Sequence, residues 1–306
     1  MTLPLSESDP PAAVPAPLQR RSLFRRMIQS LLSIAAGFIL LYSAGLFFLQ
    51  RRLIYFPRDY PVIYGMSLGE LDGVEIPFET GAGRQTMFYL PPRENPEAAP
   101  ERLWILTGGN GSVALDWLDT VENGPRAHVG YLLIDYPGYG NCAGKPTRST
   151  ILMTVRDALP ALADHLGVAP GELEGDLNVM GHSLGAAVAL EFAAHYPVRQ
   201  AVLISPFTSL LDMARRQVGW PLMYLLRDRF DNRARLAELA TRANPPTVTV
   251  MHGGKDDVVP EFMGRELGNS HPEFTVYRNY PLLDHNWILD ATRDDLWKLM
   301  GSDEDE

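Results

Sequence analysis

Ser183 stands in Gly181-His182-Ser183-Leu184-Gly185, between a short apolar run at 177–180 and an alanine-rich helical pattern. Gly-x-Ser-x-Gly in that context describes a serine held on a sharp strand-to-helix turn. Such a turn lifts the hydroxyl above the edge of a sheet. It needs small neighbours, which Gly181, Gly185, Ala186 and Ala187 provide. The start of the helix adds backbone N–H groups and the positive end of the helix dipole. The chemistry on offer is nucleophilic attack on a carbonyl. The competing reading is a helix N-cap, for which serine is also favoured. A cap does not require a glycine on each side.

A serine nucleophile needs a base to take its proton and an acid to orient that base. Asp256 and Asp257 lie in "MHGGKDDVVP", and His285 lies in "YPLLDHNW". The order Ser, Asp, His suits loops that open on one edge of a parallel sheet. The two aspartates are adjacent, so in an extended loop they point apart and only one reaches His285. Asp284 is a third rival, although a neighbour of His285 does not easily turn back onto its ring. His285 is one of seven histidines, so its placement rather than its presence is the argument. His182 and His252 are read as packing or supporting hydrogen bonds. An oxyanion hole needs backbone donors. Leu184 N–H follows the nucleophile, and Asn110 N–H in "ILTGGNGSVALDW" is the second candidate.

Other chemistries are weaker. Gly108-Gly109-Asn110-Gly111 lacks the third glycine of a dinucleotide fingerprint. "GYGNCAGKPT" fails as a phosphate loop because Tyr139 replaces the first glycine and Pro146 follows the lysine. No His-Glu-x-x-His spacing occurs. Cys142 is the single cysteine, which excludes an internal disulfide and a cysteine-based zinc site. No cofactor and no metal are expected.

The elements that position these residues follow from periodicity. Strand patterns lie at 74–79, 86–90, 103–107, 131–136, 177–182, 201–205, 247–252 and 274–278. Helical patterns lie at 113–121, 149–166, 184–195, 261–267 and 286–300. Two opening strands followed by repeated strand–helix units predict an α/β fold: a mostly parallel eight-stranded sheet with helices on both faces. "LNVMGH" and "TVTVMH" are nearly continuous apolar runs, as strands covered on both faces should be. The stretch 206–245 is too long for a loop and helical in flavour, so a small helical cap is expected. Within it "GWPLMYLL" offers Trp220, Met223 and Tyr224, either as an apolar substrate pocket or as packing between cap and core.

The chain has 306 residues, 46% of them apolar and 21% charged, enough for a sizeable core. A net charge of −10 argues against nucleic acid as a partner. No internal repeat is present. Residues 1–26 read as a disordered tail rich in Pro, Ala and Ser that ends in arginines. The stretch 27–50 carries no charge. As a helix it reaches about 36 Å, enough for a hydrocarbon core of roughly 30 Å. Arg51 and Arg52 close it, and Tyr55 and Phe56 sit at interface depth. It is read as a transmembrane anchor, against a cleaved signal peptide or a buried core helix. The hydrolytic domain is set at 60–300, with an acidic tail at 301–306.

The sequence resembles the α/β-hydrolases, and within them the BEM46/ABHD13-like group of membrane-anchored serine hydrolases. The stretches that carry the resemblance are "RRLIYFP", "TGGNGS", "DYPGYGNCAGKP", "GHSLG", "SPFTSLLDMA", "HGGKDDVVP" and "LLDHNW". It implies the α/β-hydrolase fold, with Ser183 as nucleophile, Asp256 as acid, His285 as base and oxyanion donors near Asn110 and Leu184. The group usually has His-Gly where this chain has Gly108-Gly109. Backbone donors do not depend on that histidine. The implied reaction is hydrolysis of carboxylic esters, then of thioesters or lipid acyl bonds, with a peptidase third. An idle, membrane-tethered binding protein is the alternative from a different class. The expected partners are a small or lipid-like ester and the bilayer. The residues leave the oligomeric state open.

Arginines bias a flank toward the cytoplasm. Arg20, Arg21, Arg25 and Arg26 precede the apolar stretch; Arg51, Arg52 and Arg58 follow it. The expected topology is a cytoplasmic N-terminus and an extracytoplasmic hydrolytic domain. Protease added outside spheroplasts should digest that domain. Digestion only when protease reaches the cytoplasmic side would invert the orientation.

Overall fold

A computed structural model describes residues 18–61 and 63–301. The tails read at 1–17 and 302–306 lie outside the described residues. The chain divides into two units between Phe48 and Leu49.

The first unit is helical. Helix α1 runs Leu18–Ile54 and continues across the division. Its stretch Leu23–Ile54 has a mean hydropathy of 2.1, and none of its most apolar window is buried. By length and composition it is able to cross a membrane, a property shared with signal sequences near an N-terminus. The helix is longer than the uncharged run at both ends. Residues 18–26, assigned from sequence to the disordered tail, are helical. After Pro17 the chain contains no proline until Pro57. Arginine and glutamine are good helix formers, so an established helix propagates through them.

The second unit is one sheet covered on both faces. Its strands are β1 (Val74–Thr80), β2 (Gly83–Leu90), β3 (Arg102–Thr107), β4 (Val129–Ile134), β5 (Leu177–His182), β6 (Gln200–Ile204), β7 (Thr247–Gly253) and β8 (Thr275–Tyr280). Their order is β1-β2-β4-β3-β5-β6-β7-β8. The pairs β1–β2 and β2–β4 are antiparallel, and every later pairing is parallel. The chain leaves β3 for β4 on one side, then crosses to β5 on the other. That reversal opens a crevice beyond the carboxyl ends of β3 and β5, the usual ligand position in such sheets.

The helices are α2 (Ile63–Glu70), α3 (Leu118–Val121), α4 (Arg148–Leu166), α5 (Leu184–His195), α6 (Leu210–Val218), α7 (Asn232–Leu239), α8 (Glu261–Gly268), α9 (Trp287–Ala291) and α10 (Arg293–Gly301). Helix α2 has no counterpart in the sequence reading. It is two turns long and contains Gly65 and Gly69, so it shows little periodicity. The pattern at 286–300 resolves into two helices. They part at Thr292, whose hydroxyl donates to the Ile288 carbonyl (2.7 Å). Between β6 and β7 lie α6, a 3₁₀ turn at Leu222–Leu225 and α7.

The strand pleat sends alternate residues to two cores. Leu103, Ile105, Leu177 and Val179 pack with α4, α5 and α8. Trp104, Leu106 and Met180 pack with Trp117, Leu118, Ile288 and Leu296. Helix α5 is buried on nearly every side, yet it carries Glu191, which is 6% exposed. Arg148 at the start of α4 donates to Glu191 (2.6 Å), and Arg235 stands 3.9 Å away. Arg148→Met therefore strips the nearest donor from a buried carboxylate. It should cost about 1–3 kcal/mol, and Glu191→Gln in the same background should restore most of it. Denaturant titration in detergent measures both. An unchanged midpoint for Arg148→Met would mean that Arg235 suffices alone.

Candidate active site

Ser183 joins β5 to α5 with φ 56° and ψ −114°. Positive φ is strained for a residue with a side chain. The hydroxyl does not cap α5, so the N-cap reading fails. The flanking glycines are required by contact. A Cβ at Gly181 would lie 2.1 Å from the Gly185 carbonyl oxygen, and one at Gly185 would lie 2.1 Å from that of Thr107. The turn is also braced by its neighbours. The Thr107 hydroxyl donates to the Gly185 carbonyl (2.8 Å), and the Ser183 N–H donates to the Ile204 carbonyl (2.8 Å).

Asp256 and His285 come together from the loops after β7 and β8. His285 Nδ1–H donates to Asp256 Oδ2 (2.7 Å). Asp256 Oδ1 accepts from the N–H groups of Val258 (3.0 Å) and Val259 (2.7 Å). His252 Nε2–H donates to the Val259 carbonyl (2.9 Å) and lies 3.3 Å from Asp256 Oδ2. Burial opposes charge on Asp256. Hydrogen bonds from His252 and His285, the attraction of His285 and the Val259 N–H outweigh it. Together they hold the carboxyl well below the usual carboxylate range. The rival aspartates are placed elsewhere. Asp257 is exposed. Asp284 accepts from the N–H groups of Asn286 (3.1 Å) and Trp287 (2.8 Å), at the start of α9.

His182 links the serine turn to His285. Its Nε2–H donates to the His285 carbonyl (2.8 Å), and the two rings stand 4.7 Å apart. Burial, reinforced by the neighbouring His285, pushes His182 down to about 4. Its ring is therefore neutral at neutral pH, and Nε2 carries the proton that the carbonyl accepts.

The loop after β3 faces the serine. A Cβ at Gly109 would sit 3.7 Å from Ser183 Cβ and 3.4 Å from His182 Nδ1. Asn110 is half-buried, and its carbonyl accepts from Tyr139 (2.6 Å) and from the Phe56 N–H (2.9 Å). Leu184 opens α5 directly after the serine. A recess of about 180 Å³ lies alongside, bordered by Gly108, Gly109, Asp116, His182, Asn286 and Leu289 among others. Trp220 and Tyr224 are exposed and Met223 is buried; none of the three borders that recess. Sequence reasoning missed the tyrosine supports. Their signal was present in "DYPGYG", where Tyr136 and Tyr139 follow a buried strand. Among the described residues, no group of three or more His, Cys, Asp or Glu side chains is placed to hold a metal.

An alpha/beta hydrolase family model matches residues 104–242. The chain belongs to the α/β-hydrolases. It is 32% identical to the uncharacterized protein MT2364 of Mycobacterium tuberculosis over 256 residues, 80% of this chain and 86% of that one. Its fold is similar to that of the Pyrococcus furiosus esterase Pf2001, with a TM-score of 0.58 at 13% identity, covering 81% of this chain and 96% of that one. It is similar also to the thioesterase domain from the curacin biosynthetic pathway, with a TM-score of 0.54 at 12% identity, covering 75% and 99%.

The contrast between neighbouring carboxylates generates a ranking. Asp256→Asn should lower kcat for an activated ester by up to about 10⁴-fold, because the ring loses its orienting acceptor. Asp257→Asn, changing an exposed side chain, should stay near the parent. Purified, folded variants assayed side by side test this; the reverse ranking would move the acid to Asp257.

Proposed function

We propose that the chain is a membrane-anchored serine hydrolase of the BEM46/ABHD13-like group that cleaves carboxylic ester bonds through an acyl-enzyme. The observation that carries this reading is the strained, positive-φ Ser183 at the end of β5, together with the buried Asp256–His285 hydrogen bond on the same sheet edge. Thioesters and lipid acyl bonds come next as substrates, because the same nucleophile attacks any activated acyl carbonyl. Small or lipid-like esters suit an active site attached to a helix such as α1.

In this mechanism Asp256 occupies His285 Nδ1 and leaves Nε2 to act on protons. Ser183 Oγ attacks the carbonyl carbon while His285 takes the hydroxyl proton. The carbonyl electron pair moves to oxygen, where the N–H groups of Leu184 and Asn110 stabilise it. Collapse breaks the bond to the leaving oxygen, which receives the proton from His285. Water then attacks the acyl-enzyme, giving its proton to His285, and the acid departs as Ser183 regains a proton. Asp256 stays ionised throughout and balances the imidazolium formed in each half-reaction.

A fluorophosphonate probe should label the full-length protein, and Ser183→Ala should abolish labelling. Turnover of p-nitrophenyl acetate by that variant should fall by about four to six orders of magnitude. Parent-like turnover by Ser183→Ala would remove the nucleophile assignment. A parent protein that never labels would favour the idle binding protein.

A further inference from the structure

The segment 50–60, which leads out of α1 into the hydrolase domain, does more than connect. The Asn110 side-chain amide donates to the carbonyl of Ile54, the last residue of α1 (3.1 Å). The Asn110 carbonyl accepts from the Phe56 N–H (2.9 Å) and from Tyr139 (2.6 Å). The Phe56 N–H also lies 3.1 Å from the Tyr139 hydroxyl. Tyr136 holds the adjoining Gly108 carbonyl (2.6 Å). The loop opposite Ser183 is thus gripped on both sides of its peptide at Asn110.

The grip continues beyond Phe56. The Arg58 carbonyl accepts from the Gly140 N–H (2.9 Å), one residue after Tyr139. The Arg58 guanidinium donates to Asp116 (2.6 Å), and Tyr64 donates to the same oxygen (2.7 Å). The other Asp116 oxygen accepts from the Val113 N–H (3.0 Å). Tyr60 donates to Asp135, whose second oxygen accepts from the Ala114 N–H (2.8 Å). These two carboxyl groups hold the N–H groups of Val113 and Ala114, just past the glycine loop, and each is held by the segment that follows α1. At the other end, Gln50 donates to the Leu225 carbonyl (3.1 Å) and accepts from the Arg227 N–H (2.7 Å). Arg51 lies 3.6 Å from Asp228. The same short segment therefore ties the cap to the loop across from the nucleophile.

We propose that segment 50–60 is a strap that sets the position of the loop 108–111, with Asn110 (through its side chain) and Tyr139 as positioning residues. The proposal rests on the reading of that loop as a source of an oxyanion donor. A hydrogen-bond donor stabilises a tetrahedral intermediate only when aimed at the oxyanion, so a small displacement is felt in the chemical step and little in ground-state binding. A merely structural staple would move stability and leave that step alone.

Asn110→Ala and Tyr139→Phe in the full-length protein, in detergent, test it. Both keep the Asn110 backbone N–H and remove one side-chain group of the grip. The readouts are kcat and KM for p-nitrophenyl acetate, the Kd of phenylboronic acid, which forms a tetrahedral adduct at a catalytic serine, and the melting temperature. The expected result is a fall in kcat of about 10- to 100-fold with KM near the parent. Boronate affinity should fall in parallel. Asn110 is half-buried, so its variant serves even where Tyr139→Phe folds poorly. Parent-like kcat and boronate affinity in folded variants would overturn the strap. So would a lower melting temperature with boronate affinity intact. Probe labelling of Ser183 in the parent is scored in the same preparations, which separates a failure of the hydrolase reading from a failure of the strap.

Discussion

The candidate active site depends on a contact between backbones. Gly181, Gly185 and Thr107 meet at distances that leave no room for a Cβ. That contact lets α5 start immediately after β5, with Ser183 forced into positive φ at the junction. Every other feature of the site is arranged around the position it gives the serine. Helix α5 opens directly after it, and β3 is drawn in close enough for its loop to face it. Strain at one residue persists because the surrounding sheet over-determines it. The braces are Thr107 on one side and the Ile204 carbonyl on the other.

Around this point the electrostatics are divided by partner rather than by distance. Three histidines crowd one edge, and each uses a ring nitrogen differently. His252 holds the loop that carries Asp256, His182 holds the backbone of His285, and His285 faces the Asp256 carboxylate. Burial keeps His182 neutral, so it adds no positive charge beside His285. Asp256 receives donors on both oxygens, so its charge is satisfied and its side chain is held in place.

Much of this was legible in the residues. The eight strands, their switch from hairpin to parallel order and the turn at Ser183 all follow from local patterns that pack as their periodicity demands. The separation of Asp256 from its neighbours was only half legible. Adjacent aspartates look alike in sequence, and it takes the loop conformation to bury one and expose the other. Asp284 illustrates the same limit, because its work at the start of α9 is a backbone interaction. Least legible were the contacts of 50–60. Its residues read as the end of an apolar helix and a charged exit, while their partners at 110, 116, 135 and 225 are remote in the chain. Helix α2 escaped notice for the opposite reason, having too few turns and too many glycines to show a period.

The order of the strands has a consequence for biosynthesis. A ribosome releases this chain from its apolar helix onward, and chains fold from the N-terminal side as they emerge. Strand β5, which Ser183 follows, lies in the middle of the sheet, whereas His285 follows β8 at its far edge. The last helix is then stitched back to the centre through the Trp104 indole, which donates to the Met300 carbonyl (3.2 Å), and through Trp297, which donates to the Thr120 carbonyl (2.6 Å). A nascent chain can thus hold its serine turn while still lacking His285. The hydrogen bond between Asp256 and His285, which joins the loops after β7 and β8, therefore forms only once the last strand of the sheet is in place.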